Sequence, residues 1–185
     1  MFKDSVSSLF DSFAALLEYP ASVDMAGQAR DCLAQLQSIQ PEAAEVLEKF
    51  VRRLDQLSLE KMRELYTVTF DMQPVCYPYV GYHLYGESYK RGAFMAQLNE
   101  AYHTHNYSAG QELPDHLSVI LRFIGLDAEN RQDDFCTALI VSGILPALEK
   151  MLKVFDAETE NPYFGLLSAL QLFLVRIPEK EFSHD

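Results

Sequence analysis

The chain has 185 residues, 49% of them hydrophobic, which is the size of one domain with ample apolar content for a packed core. Its formal charge of −12 leaves no electrostatic footprint for nucleic acid, sets the chain against anionic membrane surfaces and favours basic partners. Three widely spaced cysteines, Cys32, Cys76 and Cys136, with no C-x-x-C pair, argue against a disulfide framework or a structural zinc site and fit a reducing cytoplasm.

In chain order, nearly every segment repeats its apolar residues with the helical period. The first helix is expected over about 5–18, with Leu9, Phe10, Phe13, Leu16 and Leu17 on one face. It stops at Tyr19-Pro20, because a residue before proline avoids the helical region. No basic stretch followed by a long apolar run opens the chain, so no signal peptide is expected. Ser22 can cap a second helix over about 23–39, and Pro41 stands at the first position of a third over about 41–56. Glu45–Lys49 and Glu48–Arg52 mark the outer face of that third helix. Ser58 can cap a fourth, about 59–70, with Met62, Leu65, Tyr66, Thr69 and Phe70 inward.

Prolines and glycines between residues 71 and 86 predict a loop through about Pro78, then room for a short helix and a break at Gly86. A fifth helix is expected over about 87–105, and a sixth over about 114–125 with Pro114 at its start and Gly125 past its end. Residues 128–155 read as one long helix that Gly143 and Pro146 should kink or split. The last helix, about 162–176, is apolar nearly all round and belongs in the middle of a bundle. No run approaches about eighteen uninterrupted apolar residues, so no membrane span is expected. The architecture predicted is an all-α, single-domain bundle of about seven to nine helices over 1–185, with 178–185 a loose tail.

Polar chemistry concentrates in two segments. In Glu112-Leu-Pro-Asp-His116, Pro114 at the helix start places Asp115 and His116 in the first turn. A carboxylate suits the positive end of the helix dipole there, whereas a cationic imidazole does not, so His116 should be neutral or paired. The plainer reading is that Asp115 caps backbone N–H groups and His116 hydrogen-bonds in the interior. Tyr66 and Phe70 share a helix face, which suits core packing as well as a site, and Asp71 closes that helix at the end where a carboxylate is unfavourable. Tyr82, Tyr85 and Tyr89 would share a face if their stretch is helical, either as a recognition surface or as clamps for the loop. His103 and His105 on a helix would point about 200° apart and make a poor chelate. Cys76 with His116 and Asp115 would be a nucleophile, base and orienter, with nothing nearby to form an oxyanion hole. There is no P-loop.

Four elements in order resemble the redox-enzyme assembly chaperones, in particular the NarJ-like (nitrate reductase delta subunit) branch of the TorD/DmsD superfamily. They are Leu16-Leu17-Glu18-Tyr19-Pro20, Tyr66-x-x-x-Phe70-Asp71, Tyr82-His-Leu-Tyr-Gly86-Glu with Arg91-Gly92, and Glu112-Leu-Pro-Asp-His116. The resemblance implies a cytoplasmic chaperone without catalytic activity or cofactor of its own. It would bind the N-terminal leader of a molybdenum-containing catalytic subunit, often a twin-arginine signal or its vestige, and assist cofactor insertion and assembly. On this reading the peptide site comprises Tyr66, Phe70, Asp71, Tyr82, Tyr85, Glu112, Pro114, Asp115 and His116. Residues 72–81 depart from the nitrate reductase branch, which is typically more basic and hydroxyl-rich there, so a related molybdenum enzyme is an alternative client. Two other readings stand beside this one: an acid/base enzyme using Asp115 and His116, and a plain helical adaptor.

Overall fold

A computed structural model describes residues 4–22, 24–126 and 128–181, the last four by their backbone alone. Helix α1 (Ser5–Leu16) starts where the Asp4 carboxylate accepts hydrogen bonds from the backbone N–H groups of Val6 and Ser7, both at 3.0 Å. It is followed by α2 (Met25–Ile39) and α3 (Pro41–Leu54), with proline in the first turn of α3 as expected. Ser58 caps α4 (Leu59–Phe70), its hydroxyl accepting from the Lys61 N–H at 3.3 Å. The expected Glu48–Arg52 pair forms on the outer face of α3.

After the loop come the short α5 (Val80–Tyr85), then α6 (Tyr89–Thr104), α7 (Leu117–Ile124) and α8 (Ala128–Gln132). Helix α9 runs over Asp134–Lys153 and α10 over Tyr163–Glu181. Ten helices among the described residues exceed the seven to nine expected, because α5 and α8 are short pieces with weak periodicity of their own. The fold is all-α, and among the described residues the sole strand-like feature is an isolated antiparallel bridge between Tyr79 and His116.

Asp24, without a side-chain cap bond, precedes α2 where a Ser22 cap was expected, and three further boundaries differ from expectation. Helix α7 begins at Leu117, with His116 as its cap, so Pro114 and Asp115 lie in the preceding turn. The break in the 128–155 region falls at Asp133, whose carboxylate accepts from the Phe135 N–H at 2.7 Å and so starts a new helix. Gly143 and Pro146 do not split α9; the turn ahead of the proline widens into a π-helical segment, Leu139–Ile144, closed by a Leu145 N–H to Ile140 C=O bond. Helix α10 continues through Pro178 to Glu181, where a loose tail was expected, and residues 182–185 lie outside the described residues. Buried Leu174 and Ile177 fix the turn that carries the proline, so its missing N–H removes one bond without ending the helix.

Helix α10 is central. It packs on α3 and on the C-terminal half of α9. Phe173 stacks on Phe13 at 5.5 Å and meets Phe10 edge-on at 5.3 Å, which brings α1 to the same core. The buried Gln40 side chain donates to the Leu172 carbonyl at 2.8 Å, tying the α2–α3 junction to α10. By length and composition α9 could cross a membrane, although its sequence had no unbroken apolar run. Its buried face packs against α5 and α10, as core helices do.

Candidate peptide-binding groove

The turn before α7 is held from three sides. Its backbone pairs with the tyrosine-rich loop, Val80 N–H donating to the Asp115 carbonyl at 2.8 Å and Leu117 N–H to the Pro78 carbonyl at 2.9 Å. From α6, the Tyr102 hydroxyl donates to the Pro114 carbonyl at 2.8 Å. The Asp115 side chain, 0% exposed, receives Arg91 through Nε at 2.8 Å and Nη2 at 3.3 Å. This two-pronged contact fixes orientation as well as charge, and it raises the Arg91 pKa, the hydrogen bond to Asp115 being the main cause. The Arg91 guanidinium also lies over the rings of Tyr79 (5.3 Å) and Tyr82 (6.0 Å). Gly81 lets α5 approach this pair: a Cβ there would stand 2.6 Å from Asp115 Oδ2 and 3.1 Å from Arg91 Cγ.

Beside this strut lies a groove of about 710 Å³, between the end of α1, α4 and the 107–119 segment. Tyr19, Tyr66 and Tyr107 supply aromatic walls, Tyr19 meeting Tyr66 edge-on at 5.6 Å. Glu18 and Glu112 put carboxylates on the lining. Glu112 Oε1 accepts from the Tyr79 hydroxyl at 3.3 Å and from the Leu113 N–H at 2.9 Å. Burial, then the nearby Glu112 charge, pushes the Tyr79 phenol up to about 12.

His116 faces this groove and is 3% exposed. Its Nδ1 accepts from the Ser118 N–H at 3.1 Å and pairs with the Ser118 hydroxyl at 2.7 Å. An accepting Nδ1 fixes the neutral tautomer with its proton on Nε2. Burial lowers the His116 pKa, partly offset by Glu112, Glu18 and Asp115. The neutral imidazole expected from the helix dipole is therefore present, in the capping position itself.

The structure brings together Tyr66, Glu112 and His116 in one groove. Asp115 and Tyr82 belong to the strut that supports it. Pro114 gives the strut its carbonyl and lines a second hollow, of about 490 Å³, on the other side of the 107–112 loop. Phe70 is buried against Tyr66 and Tyr163, inside the core. Asp71 is exposed at the end of α4, within electrostatic reach of Tyr66. Tyr85 is half-exposed against Phe94. Asp115 bonds Arg91 and His116 bonds Ser118, so the two do not form an acid/base dyad. Cys76 is buried, and burial pushes its thiol up to about 12, away from nucleophilic use. Sequence reasoning assigned no role to Arg91, Tyr107, Ser118 or Arg122; for Arg91 the available signal was a cation within the Arg-Gly element.

A family model for the nitrate reductase delta subunit matches residues 33–165. The chain belongs to that family. In fold it is similar to the crystal structure of a candidate redox enzyme maturation protein from Archaeoglobus fulgidus, with TM-score 0.62 and 21% identity over 95% of this chain and 96% of that one. No curated protein matches the chain in sequence. In this chain, Glu18 and Tyr19, Tyr66, and Glu112 with His116 come from three of the four motif elements and converge on one groove.

Proposed function

We propose that this protein is a cytoplasmic assembly chaperone that binds the N-terminal leader of a molybdenum-containing oxidoreductase catalytic subunit, nitrate reductase or a related enzyme. The leader lies in the groove between α1, α4 and the 107–119 segment, and the bound subunit is held for cofactor insertion. The convergence of three motif elements on one aromatic, acid-bearing groove carries this reading. A leader that folds as an amphipathic helix lays apolar side chains on Tyr19, Tyr66 and Tyr107, while its arginines, twin or single, meet Glu18 and Glu112. Asp115 acts through Arg91, keeping the groove wall in place rather than touching the peptide.

The test is a pull-down of the tagged protein from its own host grown anaerobically, read by mass spectrometry, together with binding of the recovered client's leader peptide. Recovery of a molybdenum-enzyme catalytic subunit, lost on deletion of its leader, is expected. Glu112→Gln and His116→Gln should weaken leader binding with helicity intact, and affinity should fall with added salt. Recovery of proteins unrelated to redox enzymes, or variants that bind like the parent, would overturn the proposal.

A further inference from the structure

The Glu18 carboxylate in the groove wall has a cation on it already, and that cation comes from the chain itself. Arg122, in the last turn of α7, places both Nε and Nη2 at 3.0 Å from the single oxygen Glu18 Oε1, across 104 residues of sequence. The second oxygen, Oε2, takes no hydrogen bond among the described residues. Both side chains are part-exposed, at 35% for Arg122 and 45% for Glu18, so the pair sits at the mouth of the groove. Together with Tyr19 it forms the ridge between the groove and a smaller neighbouring hollow of about 160 Å³. The charge of Asp11 on α1 also acts on Arg122.

A second polar group stands on the same groove. The bonds at His116 Nδ1 leave Nε2–H as the donor of the ring, His116 lines the groove, and this N–H makes no hydrogen bond among the described residues. Water reaches this N–H, which leaves it open to an acceptor from a bound molecule. A peptide offers both complements: a guanidinium for a carboxylate and a main-chain carbonyl for an N–H.

We propose that Glu18 is a guanidinium subsite which Arg122 fills in the unliganded protein, and that an arginine of the incoming peptide displaces Arg122 from it. This rests on the groove being the leader site. Arg122 is then an internal competitor for the subsite: an arginine peptide must give up the Glu18–Arg122 pair to bind there, whereas a peptide without arginine leaves that pair in place. Displacement joins the groove to the neighbouring hollow and lengthens the bound surface.

The probe is a synthetic amphipathic helical peptide with two adjacent arginines, compared with the same peptide carrying citrulline, which keeps the shape and lacks the charge. Arg122→Gln should tighten the arginine peptide by about fivefold and leave the citrulline peptide unchanged, as expected for one part-exposed ion pair. Arg122→Lys should fall between. Glu18→Gln should bring the arginine peptide down to the citrulline value whether or not Arg122 is present. An arginine-to-citrulline ratio unchanged by Arg122→Gln, or weaker binding of the arginine peptide, would overturn the proposal. Methylguanidinium titrated into the labelled protein separates this from failure of the leader reading. Amide shifts at Tyr19 and Ser118 in Arg122→Gln, absent once Glu18→Gln is added, would leave the subsite standing even if neither peptide binds. Unmoved amides together with unbound peptides would remove it.

Discussion

Replacing Arg91 by methionine tests the strut directly. The substitution keeps an unbranched side chain of similar length over Tyr79 and Tyr82 but leaves the Asp115 carboxylate, 0% exposed, without its two charged hydrogen bonds at 2.8 and 3.3 Å. Breaking a buried pair from one side costs about 3–5 kcal/mol. Arg91 itself is 14% exposed, so water can partly reach the vacated space, which places the expectation near the lower end, about 3 kcal/mol. For a chain of this length that corresponds to a drop of about 6–12 °C in Tm. Urea denaturation and thermal melts followed by circular dichroism measure it. Asp115→Asn on top of Arg91→Met removes the stranded charge and should restore more than half of the loss, giving a coupling above about 1.5 kcal/mol in the double-mutant cycle. A cost for Arg91→Met below about 1 kcal/mol, or single-variant costs that simply add, would refute the strut.

Gly81→Ala should destabilise by about 2 kcal/mol, because its Cβ would meet Asp115 Oδ2 at 2.6 Å. Gly92→Ala, with open space around its Cβ on α6, should be neutral or stabilising by up to about 1 kcal/mol; equal effects at the two glycines in urea melts would contradict the close-approach argument. Tyr102→Phe removes the bond to the Pro114 carbonyl and should cost about 1 kcal/mol in the same assay, an unchanged midpoint counting against that contact. His116 and His83 both have their pKa lowered by burial, so the unfolded chain binds more protons once the pH drops below the ordinary value of 6.5. Their stabilisation is therefore complete above pH 6.5 and is lost as the pH falls toward their lowered folded values. Melts taken from pH 7.5 to about pH 5 should show a decline that His116→Gln makes shallower, and a flat profile would contradict it.

The helices were legible where local chemistry decides them. Pro41 and Ser58 mark the starts of α3 and α4, and Gly125 the end of α7, each readable from neighbours a few residues away. The start of α7 was misread because the imidazole of His116 performs a capping role more familiar from short oxygen side chains. The candidate site was half legible. Tyr66, Glu112 and His116 stood out as unusual residues, but the partners that give the region its geometry are remote. Arg91 reaches Asp115 across 24 residues, and Arg122 reaches Glu18 across 104. No periodicity encodes such pairs, since they follow from how α1, α6 and α7 pack. Phe70, read as inward and also carried into the peptide site by its motif, is interior, and so is Asp115, because a motif preserves identity without saying which side of the wall a residue stands on.

The π-helical turn in α9 solves a problem of phase. Along that helix the buried positions Cys136, Ile140, Ile144 and Leu148 recur every four residues. In a uniform α-helix each step of four overshoots a full turn by about 40°, so three such steps would carry the last side chain about 120° off the core. The wider turn over Leu139–Ile144 takes up that excess and brings Ala147, Leu148 and Met151 back to the inner face. In effect, α9 holds one residue more than its span requires, stored ahead of Pro146. Excising the outward-facing Val141 should therefore yield a straight α-helix with the same inner face, whereas a deletion elsewhere in α9 would turn half of its core side chains toward solvent.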